Sequence, residues 1–307
     1  MPFTQIKIYS GRNAIMHKNA LKLFAFTAGA SAFGAFFRWL QNQIIIEAET
    51  GLTKPSALNY VVPLVIALAV FLFWRLTVGL KAQELTAPES FYGAFESHGG
   101  VFRALPWILG AIMLVGGIML RMTMRFERFY GWYAALSVLA ILTGLCFPLI
   151  CAAPRSRYSP TMVCVLMTVP IVFAILWLIL SYRTHAVTPA VWVYAIEVLA
   201  TAAALLTFYY IAGYAYGKAR PYPTLFMLML GAFMCVMTLA DSRSTGEQLI
   251  FASCAGMFLL WAWIITDNIR PEPEKPAEQS PEETVIRPGV PDEPEAAPTI
   301  QAPDKRI

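Results

Sequence analysis

Charge is what this chain has least of. Asp, Glu, Lys and Arg make up only 14% of its 307 residues, against 58% apolar residues. A soluble domain carries about 25% charged and about 45–50% apolar residues. The deficit excludes a soluble enzyme, a collagenous chain and a fully disordered chain. Mean hydropathy is +0.58, the range of a multi-pass membrane protein.

Histidine is scarce as well. His17, His98 and His185 lie far apart, in loops or flanks, and His98-Gly99-Gly100 reads as a turn. No H-E-x-x-H, G-x-S-x-G or Walker-type glycine loop is present. The five cysteines, Cys146, Cys151, Cys164, Cys235 and Cys254, include no C-x-x-C pair and have no histidine at ligand spacing. That pattern argues against a zinc site or a disulfide framework. The cysteines read as small apolar residues inside helices. No cofactor, no metal and no catalytic motif is expected.

What the chain does have is long apolar runs. A spanning helix needs about 20 predominantly apolar residues. Eight stretches qualify: 21–41, 60–80, 102–123, 129–152, 160–182, 189–217, 222–240 and 248–267. Backbone polar groups must be paired within lipid, so these should be helices, and they lack the alternation of a membrane β-barrel. The expected fold class is an all-α integral membrane protein. It divides into a short basic N-terminus (1–20), an eight-helix membrane domain (21–269) and a disordered acidic tail (270–307). Prolines at Pro63, Pro106, Pro148 and Pro170 fall at irregular intervals and mark no repeat.

The first run resembles a secretory leader in part, with basic residues ahead of it and Ala28-Gly29-Ala30 inside it. It continues, however, into the interfacial pair Arg38-Trp39. Ala30 and Gly34, four apart, suit close helix packing. The expectation is a retained first span.

Lys and Arg counts in short loops set orientation. With the N-terminus inside, 13 basic residues fall on the cytoplasmic side and 7 outside. Both termini are therefore expected in the cytoplasm. The loop containing Arg121, Arg125 and Arg128 runs against this rule. From Arg270 onward there are nine prolines, nine acidic and five basic residues in 38 positions. Such a composition builds no core and favours an extended, solvated chain, a spacer or a docking arm for a cytoplasmic protein. The expected partners are the lipid bilayer and that protein, and no nucleic acid.

Glu197 is the most informative side chain. It sits in Tyr194-Ala195-Ile196-Glu197-Val198-Leu199-Ala200, inside an apolar run. A carboxylate at that depth must be protonated, paired or wet. Thr201 lies one turn on and shares its face. Arg38, Arg121 and Arg183 fall near the outer ends of their runs and are the expected partners. Together these five residues form the candidate intramembrane polar site. Asp241, near Arg243, and Asp267 read as interfacial helix ends. Tyr214 and Tyr216 read as an aromatic belt, with Tyr209 and Tyr210 on the same run.

Phe36-Phe37-Arg38-Trp39-Leu40-Gln41, Glu47-Ala48-Glu49-Thr50-Gly51-Leu52, the Glu197 segment, Ala212-Gly213-Tyr214-Ala215-Tyr216-Gly217 and Leu239-Ala240-Asp241 carry a resemblance. Residues 20–267 resemble a group of multi-pass membrane proteins of clostridial, Gram-positive anaerobes that has no assigned activity. The resemblance implies a bacterial plasma membrane and no mechanism. Three functions compete. One is a structural or regulatory membrane component held by Glu197, with the tail for docking. Another is a small-solute or ion transporter coupled through Glu197. The last is a lipid- or envelope-directed enzyme using Glu47 or Glu49.

Overall fold

A computed structural model of the chain describes residues 3–44, 57–83, 85–97, 99–126, 129–156, 158–185 and 191–271. The expected all-helical membrane fold is borne out, with eight helices among the described residues long and apolar enough to cross a bilayer. They are α1 (Phe3–Ile44), α2 (Val61–Lys81), α4 (Gly100–Thr123), α5 (Tyr130–Ser156), α6 (Pro160–His185), α7 (Val191–Ala215), α8 (Pro221–Thr238) and α9 (Thr245–Asp267). A four-residue helix, α3 (Phe91–Ala94), lies between α2 and α4. The count of eight stands even with the arginine-rich α4–α5 turn. The expected tail from residue 272 onward, and Glu47 and Glu49, lie outside the described residues.

The basic residues ahead of the first span are part of the same helix as the span. α1 is continuous over 42 residues, of which Asn19–Ile44 form the apolar span. At about 1.5 Å per residue the helix is about 63 Å long, twice the hydrocarbon thickness.

The helices from α4 to α9 pack in succession, and α9 closes the ring by returning to α4. α1 and α2 lie outside it, α1 against α8 and α9, α2 against α1 and α8. Burial is greatest in α9, whose span is 72% buried, and least in α1, α2 and α4, at 28% each. Trp261 is fully buried at the heart of an aromatic cluster with Phe95, Phe147, Phe208 and Phe258.

Lipid tails are as apolar as leucine, so hydrophobicity does not drive helix onto helix in a bilayer. Close packing and hydrogen bonds do that here. A Cβ on Gly144 would stand 2.7 Å from the Gly110 carbonyl oxygen, so α4 and α5 meet backbone to backbone. On its other side α4 meets α9, where Gly246 lies against Leu120 and Gly116. Ser253 Oγ donates to the Leu109 carbonyl (2.7 Å), tying α9 to α4. Thr207 Oγ1 lies 2.8 Å from the Met227 carbonyl, tying α7 to α8.

The α2–α4 connection folds back against the bundle. Ser90 caps α3, accepting from the Gly93 amide, and Phe91, Ala94 and Phe95 are buried. Phe95 packs edge-on to Tyr214 and Trp261. Asn268, just past α9, fastens the segment by donating to the carbonyls of Ala94 (2.9 Å) and Glu96 (2.7 Å). Backbone pairing of Leu85–Thr86 with Arg270–Pro271 adds a second tie. Asn268→Ala strands two carbonyls and should cost about 1–3 kcal/mol. Hydrogen exchange should then speed up at residues 91–97 and leave α4 to α9 protected; uniform protection throughout would refute the fastening role.

Candidate functional site

At one end of the bundle five helices converge on one buried polar cluster. α7 begins at Val191, so Glu197 lies six residues in, about 9 Å along the axis. It is only 3% exposed. Ser181, on the last turns of α6, donates to Glu197 Oε1 at 2.5 Å. Arg243, in the short turn between α8 and α9, pairs with Glu197 Oε2 through Nη1.

Arg243 also donates through Nη2 to Asp241 Oδ2 (3.0 Å). Asp241 in turn accepts at Oδ1 from Arg38 Nε (2.6 Å) and from Asn42 Nδ2 (3.0 Å). Arg38 Nη1 donates to Gln41 Oε1 (2.7 Å), and Asn42 Nδ2 also reaches the Ala240 carbonyl (3.0 Å). The charges therefore alternate along a chain: Arg38, Asp241, Arg243, Glu197. Arg38 is 1% exposed and Asp241 7%. A buried charge at this depth is tolerated only when paired and hydrogen-bonded, and the alternation supplies both.

Local sequence explains the turn. Ser244 and Glu247 form a reciprocal capping box at the start of α9: the Ser244 hydroxyl accepts from the Glu247 amide while the Glu247 carboxylate accepts from the Ser244 amide. The cap fixes the chain direction just after Arg243 and aims it at α7. Burial opposes the charge on Arg243, but the carboxylates of Glu197 and Asp241 outweigh it and raise the guanidinium above its ordinary value. Arg243 stays cationic at any working pH, so the network depends on its carboxylates to balance it.

Against the sequence expectations, the structure brings together Glu197 and Arg38 in one network, though not as a pair. Arg121 and Arg183 do not join it. Both are exposed: Arg121 lies over the Tyr130 ring, and Arg183 over Phe129 and Trp132. Long cationic side chains near helix ends find aromatic faces at the interface rather than the apolar interior. Thr201 does lie beside Glu197, but its hydroxyl donates to the backbone carbonyls of Glu197 and Val198, not to the carboxylate. Asp241 is not an interfacial helix end: it is buried and joins two arginines. Tyr214 is buried against Phe95 rather than belonging to a belt, while Tyr216 is exposed and bonded to Thr168 (2.8 Å). Ser181, Asp241 and Arg243, with Gln41 and Asn42, are the members that sequence reasoning missed.

No group of three or more potential metal ligands occurs among the described residues. The chain matches no protein-family model, no curated protein and no solved structure. Architecture and site geometry are thus the grounds for a functional reading.

Proposed function

We propose that the protein is a structural or regulatory component of a bacterial plasma membrane, locked at its outer face by the Arg38–Asp241–Arg243–Glu197 chain. The observation that carries this reading is that Glu197 is engaged on both oxygens, by Ser181 and by Arg243. A carboxylate so held serves helix docking: its partners come from α6 and from the α8–α9 turn, and Arg38 extends the lock to α1. The excess of Lys and Arg on the N-terminal side supports cytoplasmic termini. The tail beyond residue 270 then reaches into the cytoplasm, where its proline- and glutamate-rich composition suits docking of a protein partner.

The test is Glu197→Gln in purified protein, which keeps the shape and removes the charge. A lock predicts a loss of about 2 kcal/mol, the worth of a hydrogen bond to a charged group. Arg243→Gln should show the same loss. The double variant should lose less than the two single losses combined, because the partners are coupled. Unchanged stability, with loss of pH-dependent solute uptake in vesicles, would replace this reading by a transporter coupled through Glu197.

A further inference from the structure

At the opposite end of the bundle, α4 starts and α5 finishes around an open cleft of about 490 Å³. Its lining includes Tyr92, Ser97, Gly99, Arg103 and Arg155. The volume lies within the range of small-molecule sites. We propose that this cleft binds a phosphate-bearing anion, either the headgroup of an anionic phospholipid or a soluble phosphate.

Charge and geometry carry the assignment. Arg155 is held in place by Ser97, donating through Nη2 to both the Ser97 carbonyl and the Ser97 hydroxyl (3.2 Å for the latter). This leaves the rest of its planar guanidinium fork for a ligand, and such forks match phosphate oxygens. Ser97 is buried, and since its Oγ accepts from Arg155 its hydroxyl hydrogen remains to donate. Arg103 is exposed and has no partner among the described residues. Glu96 shares the lining, so two guanidinium groups face one carboxylate and the sum is positive. Tyr92 donates to the Tyr158 carbonyl (2.6 Å), which fixes that wall of the cleft. The first turn of α4 adds its positive end, since Gly99 provides no side-chain cap.

The position suits a headgroup. Arg103 lies one turn before Trp107, which is 62% exposed, and close to Val101, which is 67% exposed. Trp at such a position marks the bilayer interface, so the cleft opens at headgroup level beside a lipid-facing helix surface.

Native mass spectrometry of the full chain, titrated with phosphatidylglycerol and with phosphatidylcholine, tests the lipid source. Thermal unfolding in neutral-lipid nanodiscs, titrated with inorganic phosphate, tests the soluble source. Arg103→Gln is the diagnostic variant because Arg103 supports no other side chain, and Arg121→Gln is the control for general surface charge. Preferential binding of phosphatidylglycerol that weakens about fivefold in Arg103→Gln, and not in Arg121→Gln, identifies a lipid headgroup. Stabilisation by inorganic phosphate with the same dependence, and no lipid preference, identifies a soluble phosphate. Binding that is absent in both arms, or that Arg103→Gln leaves unchanged, overturns the site.

Discussion

Asp241→Ala should destabilise the folded protein by about 3–5 kcal/mol, the largest effect of any single substitution in the buried polar cluster. Asp241 bonds both arginines of the chain, Arg38 at 2.6 Å and Arg243 at 3.0 Å. Its removal takes one negative charge from between two guanidinium groups, and breaking a buried ion pair costs that much. Gln41, Asn42 and Ser181 cannot neutralise a cation. Equilibrium unfolding in mixed micelles measures the loss. The substitution should also release α1, whose tie to the α8–α9 turn runs through Arg38 and Asn42. Arg38→Met in the Asp241→Ala background should restore part of the stability, because it removes one of the two cations that Asp241 balanced. A loss below 1 kcal/mol, or no recovery in the double variant, would show that solvent reaches the cluster and that it locks nothing.

Gly246→Ala should cost about 1–3 kcal/mol, although alanine is the better helix former. A Cβ at Gly246 would stand 2.7 Å from Leu120 Cα and 2.9 Å from the Gly116 carbonyl oxygen. These are backbone atoms of α4, so no rotamer change relieves the contact and the two helices must move apart. The Ser253–Leu109 hydrogen bond on the same interface would lengthen with them. The same change at Gly79, in α2, meets nothing within 4 Å. There alanine should stabilise by about 0.5–1 kcal/mol through its helix preference. Opposite signs for one chemical change, measured by thermal unfolding in one detergent, separate backbone packing from intrinsic propensity. Equal signs would remove the close approach of α4 and α9 as a source of stability.

The spans were legible because a bilayer imposes a length and a polarity on each helix independently of its neighbours. The expected 102–123 and the observed Gly100–Thr123 differ by two residues at one end only. The polar cluster was legible in depth and not in direction. Burial of Glu197 followed from its apolar context, but position along a helix does not say which neighbour it faces. Arg183 and Arg243 both lie at the same end of the bundle; Arg183 turns to aromatic rings, and Arg243 is aimed inward by the capping box after it. That box, Ser244 and Glu247 three apart, was the readable signal that residues 241–243 are fixed rather than loosely solvated. α3 escaped notice because four residues are too few for any periodicity, though Phe91 and Phe95 in an inter-span loop were a trace of it.

The distance in sequence between Arg38 and Asp241, 203 residues, has a consequence for biogenesis. Synthesis proceeds at about 5–20 residues per second. Arg38 therefore leaves the ribosome about 10–40 s before its carboxylate partner exists. α1 docks on α8 and α9, which are the last spans made. Until they arrive, Arg38 waits without the Asp241 carboxylate, and α1 without its docking surface. Chains interrupted before residue 241 would lack this contact permanently, a difference by which membrane quality control can tell incomplete molecules from finished ones.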